Sequence, residues 1–140
     1  MSGLFLEDLT IGQTADMERE VRAEDLEAFA AVTGDANPLH LDETYAKTTP
    51  FKQRIAHGML SAGYISAVIA MKLPGPGTIY VSQTLKFLRP VKIGDVVRAQ
   101  VEVAAIDEER GWVTMNTICF VGKREVVKGE AVLVVPRRGA

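Results

Sequence analysis

The stretch Ile55 to Leu73, IAHGMLSAGYISAVIAMKL, constrains this chain more than any other, because from Gly58 to Met71 its only clearly hydrophilic side chains are Ser61 and Ser66. A helix apolar all round is a buried helix. About 16 residues at 1.5 Å each span about 24 Å, short for a bilayer but long enough to cross the core of a small domain. Something must wrap it. The chain after Thr78 supplies β-rich segments separated by turn signals. The helix also has a chemically useful start at His57-Gly58, where free backbone N–H groups and the positive end of the helix dipole favour a developing negative charge.

The chain has 140 residues, 47% of them hydrophobic and 24% charged, and a net charge of −2. That is the balance of one globular domain, expected over residues 1–140. The evenly mixed charge gives no reason to expect a nucleic acid partner, and no membrane span is expected. The single cysteine, Cys119, permits no internal disulfide and sits in an apolar run, as a small buried hydrophobe would. The opening MSGLFLEDLTIGQ has neither the basic region nor the apolar region of a secretory signal, so a cytoplasmic location is expected.

Thr14 to Val21 reads as a weak or edge strand. Ala23 to Thr33 reads as a helix with acidic residues in its first turn and Gly34 to close it. Asp35 to Asp42 is expected to be a structured loop, since Pro38 bars a continuing helix, and a short helix is possible over Asp42 to Lys47. Pro74 to Gly77 stops the central helix. Strands are then expected over Thr78 to Phe87 with one face on the helix, Val96 to Ile106, Trp112 to Val121, and Glu125 to Val135. The sum is α+β: an antiparallel sheet curled around one long buried helix. A single curved layer leaves an edge and part of the helix uncovered, which predicts a homodimer.

Asp35 and His40 offer a carboxylate and an imidazole on a loop stiffened by Asn37-Pro38, a common acid and base pair near neutral pH. The same residues also suit a plain turn with a partly buried histidine. For His57 a structural place near the helix start is expected. No HxH, HExxH or cysteine cluster is present, so no metal is expected, and no Gly-rich phosphate loop or GxSxG elbow occurs.

The run Thr33 to Asp42, TGDANPLHLD, followed by Arg54 to Ser61, RIAHGMLS, strongly resembles the two-part hydratase motif of MaoC-like hot dog proteins, especially the (R)-specific enoyl-CoA hydratases. The resemblance extends to Phe5–Gln13 as an opening strand region, to the turn at Leu73–Tyr80, and to Leu85–Asp95. It implies a hot dog fold, a catalytic Asp35 and His40, an Asn37 that supports the loop, and a Gly58 N–H that serves as the oxyanion hole. It implies no cofactor and an acyl-CoA thioester substrate that is hydrated or dehydrated. Dehydration of acyl carrier protein (ACP) thioesters is the nearest alternative. A hot dog thioesterase and a non-catalytic thioester binding module fit less well, because neither needs the Asp-Ala-Asn-Pro-Leu-His arrangement.

If Gly58 faces the thioester, helical spacing puts Ala62, Ile65 or Ser66, and Ile69 on the same face as candidates for the acyl wall, with Leu133 closing its far end. Short to medium acyl chains are therefore expected. Lys86, Arg89 and Lys92 form a basic series around Pro90 that could meet phosphate or simply face solvent.

Overall fold

A computed structural model describes residues 3–139. Strand β1 (Thr14–Glu20) leads into helix α1 (Ala23–Thr33), two single-turn helices α2 (Pro38–Leu41) and α3 (Glu43–Ala46), and the long helix α4 (Gly58–Met71). Strands β2 (Ile79–Gln83), β3 (Lys86–Phe87), β4 (Val96–Asp107), β5 (Trp112–Val121) and β6 (Arg124–Val134) follow. They build one antiparallel sheet in the order β1-β4-β5-β6-β2, with β3 also paired to β6.

Period-two patterning sets the register. In β4 the side chains of Val97, Ala99, Val101 and Val103 are closed off from solvent while their neighbours are half-covered, so every second residue meets the core. β5 does the same through Val113, Met115, Thr117 and Cys119. Helix α4 lies across this apolar face and touches β1, β4, β5 and β6, burying Tyr64, Ile65, Val68 and Ile69. Each such side chain contributes about 1.5–3 kcal/mol by leaving water. Cys119 is fully buried with its Sγ 3.6 Å from the Ser61 carbonyl, and burial pushes its thiol up to about 12, so it is a packing group rather than a nucleophile.

Four expectations need correction. Pro38 does not merely bar a helix: its fixed φ suits a first helical position, and it starts α2 behind an Asn37 cap. Phe5–Gln13 forms no strand but a 3-10 turn at Leu6–Asp8, with Leu6 and Leu9 buried. Thr78 to Phe87 is not one strand with a covered face. It breaks at Thr84-Leu85 into β2 and β3, and Ile79, Tyr80, Val81 and Phe87 are all exposed, because among the described residues nothing covers this edge of the sheet. Nor is α4 enclosed all round: Met59, Gly63, Ala70 and Met71 stay exposed on the side away from the sheet. Among the described residues no helix is long and apolar enough to cross a membrane.

Candidate active site

The loop between α1 and α2 is built by short side chains that bond their own backbone. Gly34 closes α1 at φ +85°, a conformation that favours glycine, with its N–H on the Ala30 carbonyl at 2.8 Å. Thr33 Oγ1 donates to the Phe29 carbonyl (2.7 Å) and accepts from the Asp35 N–H (3.1 Å). Asp35 Oδ1 accepts from Asn37 N–H (3.3 Å), and Asn37 Oδ1 accepts from Leu39 N–H (3.0 Å), which starts α2 and carries His40 into position. Asn37 thus acts as a helix cap.

The stretch before α4 fixes the imidazole. Ala56 N–H bonds the Val91 carbonyl at 2.7 Å, and Ile55 bridges to Lys92, so this segment is tied to the chain beyond β3. His40 Nδ1 lies 2.7 Å from the Ile55 carbonyl. A carbonyl only accepts, so Nδ1 carries the proton of that bond and Nε2 is left for chemistry. Arg54 Nε donates to the His40 carbonyl at 2.7 Å, so residues 54 and 55 grip His40 at both its backbone and its ring. The motif contained Arg54, but a grip between residues 14 apart has no periodic signal in a sequence.

His57 takes the structural place expected of it. Its ring is 2% exposed, stacks on His40 at 3.9 Å and 28°, contacts Phe29 at 4.5 Å, and donates from Nε2 to the Asp35 carbonyl at 2.9 Å. It therefore spaces Asp35 from His40. Phe29, which closes the other side of His57, was read from the sequence only as part of the α1 stripe.

Ligand atoms of Asp35, His40 and His57 all lie within 4.8 Å of one another. Two hydrogen bonds of about 2.8 Å meeting at a water's tetrahedral angle span about 4.6 Å, so Asp35 and His40 are close enough to act on one water. A cation is a poorer fit, since the stacked rings of His40 and His57 aim their in-plane lone pairs along nearly parallel planes rather than at one point.

Gly58 opens α4 beside this pair, and the His57 side chain does not cap the helix, so it leaves the first N–H groups without a side-chain partner from that residue. A Cβ on Gly58 would stand 2.6 Å from the Phe87 ring, so a side chain here would force that ring to shift. A cavity of about 450 Å³ starts here, lined by His40, Gly58, Ser61, Phe87, Leu88 and Arg89 among others. Asp35 sits at the exposed rim of this arrangement. Ala62, Ser66, Ile69 and Leu133 do not line the cavity. Ile69 and Leu133 are packed shut in the seam between helix and sheet, at 1% and 0% exposure, so the acyl wall expected from them is not an open surface here.

Residues 8–119 match the family model described as the MaoC like domain. An (R)-specific enoyl-CoA hydratase of Rhodospirillum rubrum is 50% identical over 135 residues, covering 96% of this chain and 94% of the relative. One from Aeromonas caviae is 44% identical over 131 residues, covering 93% and 98%. The solved R-hydratase PhaJ1 from Pseudomonas aeruginosa, unliganded, superposes with a TM-score of 0.93 at 48% identity, over 97% of this chain and 88% of that one. The fold is the hot dog fold of these hydratases. The family match takes in the whole of the loop from Asp35 to His40 and the start of α4, so the polar pair, the helix start and the fold that joins them are of one origin, and the chain belongs to the MaoC-like domain family.

Proposed function

We infer that this protein is a hydro-lyase that interconverts trans-2-enoyl-CoA and (R)-3-hydroxyacyl-CoA. The observation that carries the reading is the free His40 Nε2, held beside the Asp35 carboxylate at the mouth of a cavity into which the start of α4 opens. In the proposed mechanism the thioester carbonyl accepts from the Gly58 N–H, where the helix dipole stabilises the enolate-like oxygen. Asp35 and His40 hold one water, whose oxygen bonds to Cβ. One proton leaves that water and one is delivered to Cα, through the pair acting as a coupled unit. Dehydration runs the same steps backwards. The reading needs neither metal nor redox cofactor.

The test is purified protein with crotonyl-CoA, followed for loss of conjugation and for free thiol. Conjugation is expected to vanish without thiol release, and EDTA is expected to change nothing. Thiol release would make the protein a thioesterase, silence in both signals would make it a binding module, and activity lost to EDTA and restored by zinc would overturn the metal-free mechanism. A comparison of crotonyl-CoA with crotonyl-ACP separates the two carriers; the coenzyme A ester is expected to be the better substrate. The lone buried cysteine fits a reducing cytoplasm.

A preference for short to medium acyl groups is proposed, because Ile69 and Leu133 are packed shut and give the cavity at Gly58 no opening into the core between helix and sheet. Ile69→Ala is expected to cost about 2–5 kcal/mol of stability as a cavity and to shift the preferred chain length upward, each added buried methylene gaining about 0.8 kcal/mol. Urea unfolding reads the first effect, and kcat/KM for C4, C6, C8 and C10 enoyl-CoA reads the second. A superimposable chain-length profile would remove Ile69 from the acyl path.

A homodimer is proposed through β2. The other edge, β1, is guarded by Asp16, Glu18, Arg19 and Glu20, whereas β2 is Ile-Tyr-Val-Ser-Gln with its apolar side chains exposed. Light scattering is expected to give twice 15.2 kDa at micromolar concentration; the monomer mass would contradict it.

A further inference from the structure

We propose that the cleft lined by Arg89, Lys92 and Arg124, which adjoins the catalytic cavity, binds the diphosphate and 3′-phosphate of the coenzyme A carrier. The proposal rests on the hydratase reading and names where its substrate is held.

A second cavity, of about 340 Å³, shares Arg89 and Pro90 with the cavity at Gly58 and continues to Lys92, Gly122 and Arg124. The two are therefore adjoining spaces along one wall of the molecule. The wall itself is fixed: Ala56 and Ile55 pair with Val91 and Lys92, the same pairing that presents the Ile55 carbonyl to His40. A carrier that extends from a thioester at Gly58 through these adjoining spaces meets three cations.

Several of the molecule's arginines are already committed elsewhere. Arg22, Arg98, Arg110 and Arg138 each have a carboxylate partner, and Arg54 and Arg137 donate to carbonyls. Among the described residues Arg89, Lys92 and Arg124 make no ion pair. The single carboxylate in the cleft, Asp95, is occupied by its Oδ2 bond to the Lys92 N–H at 2.9 Å. Three side-chain cations face one carboxylate, so the cleft is net positive on a chain whose overall charge is −2. Guanidinium groups match phosphate oxygens bidentately and lysine adds a point charge, which suits a ligand with several phosphates.

The experiment compares wild type with Lys92→Ala/Arg124→Ala on crotonyl-CoA and on crotonyl-pantetheine, which has the same reacting end and no phosphate. The expected result is a KM for crotonyl-CoA raised about tenfold or more with kcat retained, and kcat/KM for crotonyl-pantetheine unchanged. The variant should also lose most of the salt sensitivity of kcat/KM, because the lost attraction is between exposed charges. Equal losses on both substrates, or no loss on either, would overturn the proposal. So would a loss confined to crotonyl-ACP, which would give the cleft to an acidic carrier protein instead. Calorimetry with adenosine 3′,5′-bisphosphate reads the cleft without turnover, so it stands even if the hydratase reading fails. Wild-type binding that is lost in the double variant supports the site, and equal binding in both proteins overturns it.

Discussion

Replacing Asp35 by Asn, or His40 by Gln, is expected to lower kcat for crotonyl-CoA hydration by at least about a hundredfold while the far-ultraviolet spectrum and the urea midpoint stay close to wild type. Both substitutions keep volume and shape. In Asp35→Asn the new amide retains an oxygen that can accept the Asn37 N–H bond, so the loop survives while the carboxylate is lost. In His40→Gln the new amide can still donate to the Ile55 carbonyl, where His40 Nδ1 now points, but the ring nitrogen that exchanges a proton is gone. Because the two groups are proposed to act on one water, the double variant should be scarcely worse than either single variant. Additive losses would mean that Asp35 and His40 act in separate steps, and near-normal activity in either folded single variant would remove the pair from the chemistry.

The second large effect lies far from the chemistry, at Gly129 in β6. A Cβ there would stand 1.8 Å from the Thr84 carbonyl oxygen, 2.7 Å from its carbon and 3.2 Å from the Leu85 Cα. All three are backbone atoms, and Thr84 cannot retreat. Its N–H bonds the Glu130 carbonyl at 2.9 Å, its Oγ1 accepts from the Glu130 N–H at 3.0 Å, and its carbonyl accepts from Gln83 Nε2, which also bonds Thr117. Gly129→Ala is therefore expected to cost about 3 kcal/mol, at the upper end of overpacking costs, read as a lowered urea midpoint. Activity should fall with it, since the close packing of Thr84-Leu85 on Gly129 sets β3 and so the Phe87 ring beside Gly58. A wild-type midpoint in Gly129→Ala would mean that Thr84 and Leu85 do not pack this closely on β6.

How far the sequence reached depended on the range of each interaction. Period-two valines in β4 and the apolar run of α4 report burial residue by residue, so strand, helix and antiparallel arrangement were legible. The turn from Thr33 to Asn37 was legible because its bonds join near neighbours and use Asp, Asn, Thr and Gly, whose turn chemistry is local, although the helix that Pro38 starts was read as loop. Other features were hidden. The break of β2 from β3 depends on Gly129, far along the chain in β6. The grip of Arg54 and Ile55 on His40 crosses 14 and 15 residues, and the stacking of His57 between Phe29 and His40 leaves no pattern at all. Helical spacing from Gly58 pointed to Ala62, Ser66 and Ile69, but spacing cannot tell whether Ile69 meets open space or a strand, and here it meets the core.

In the proposed mechanism water is added to one face of an enoyl thioester, between the Asp35–His40 pair and the Gly58 N–H. Nothing tests this more sharply than the configuration of the 3-hydroxybutyryl-CoA formed from crotonyl-CoA, read with dehydrogenases specific for each enantiomer. A water fixed on one side of the bound thioester predicts a single enantiomer, and the likeness to (R)-specific hydratases makes the (R) product the expected one. A racemic product, or no hydroxyacyl product at all, would rule the fixed water out, and an (S) product would rule out the (R)-specific reading.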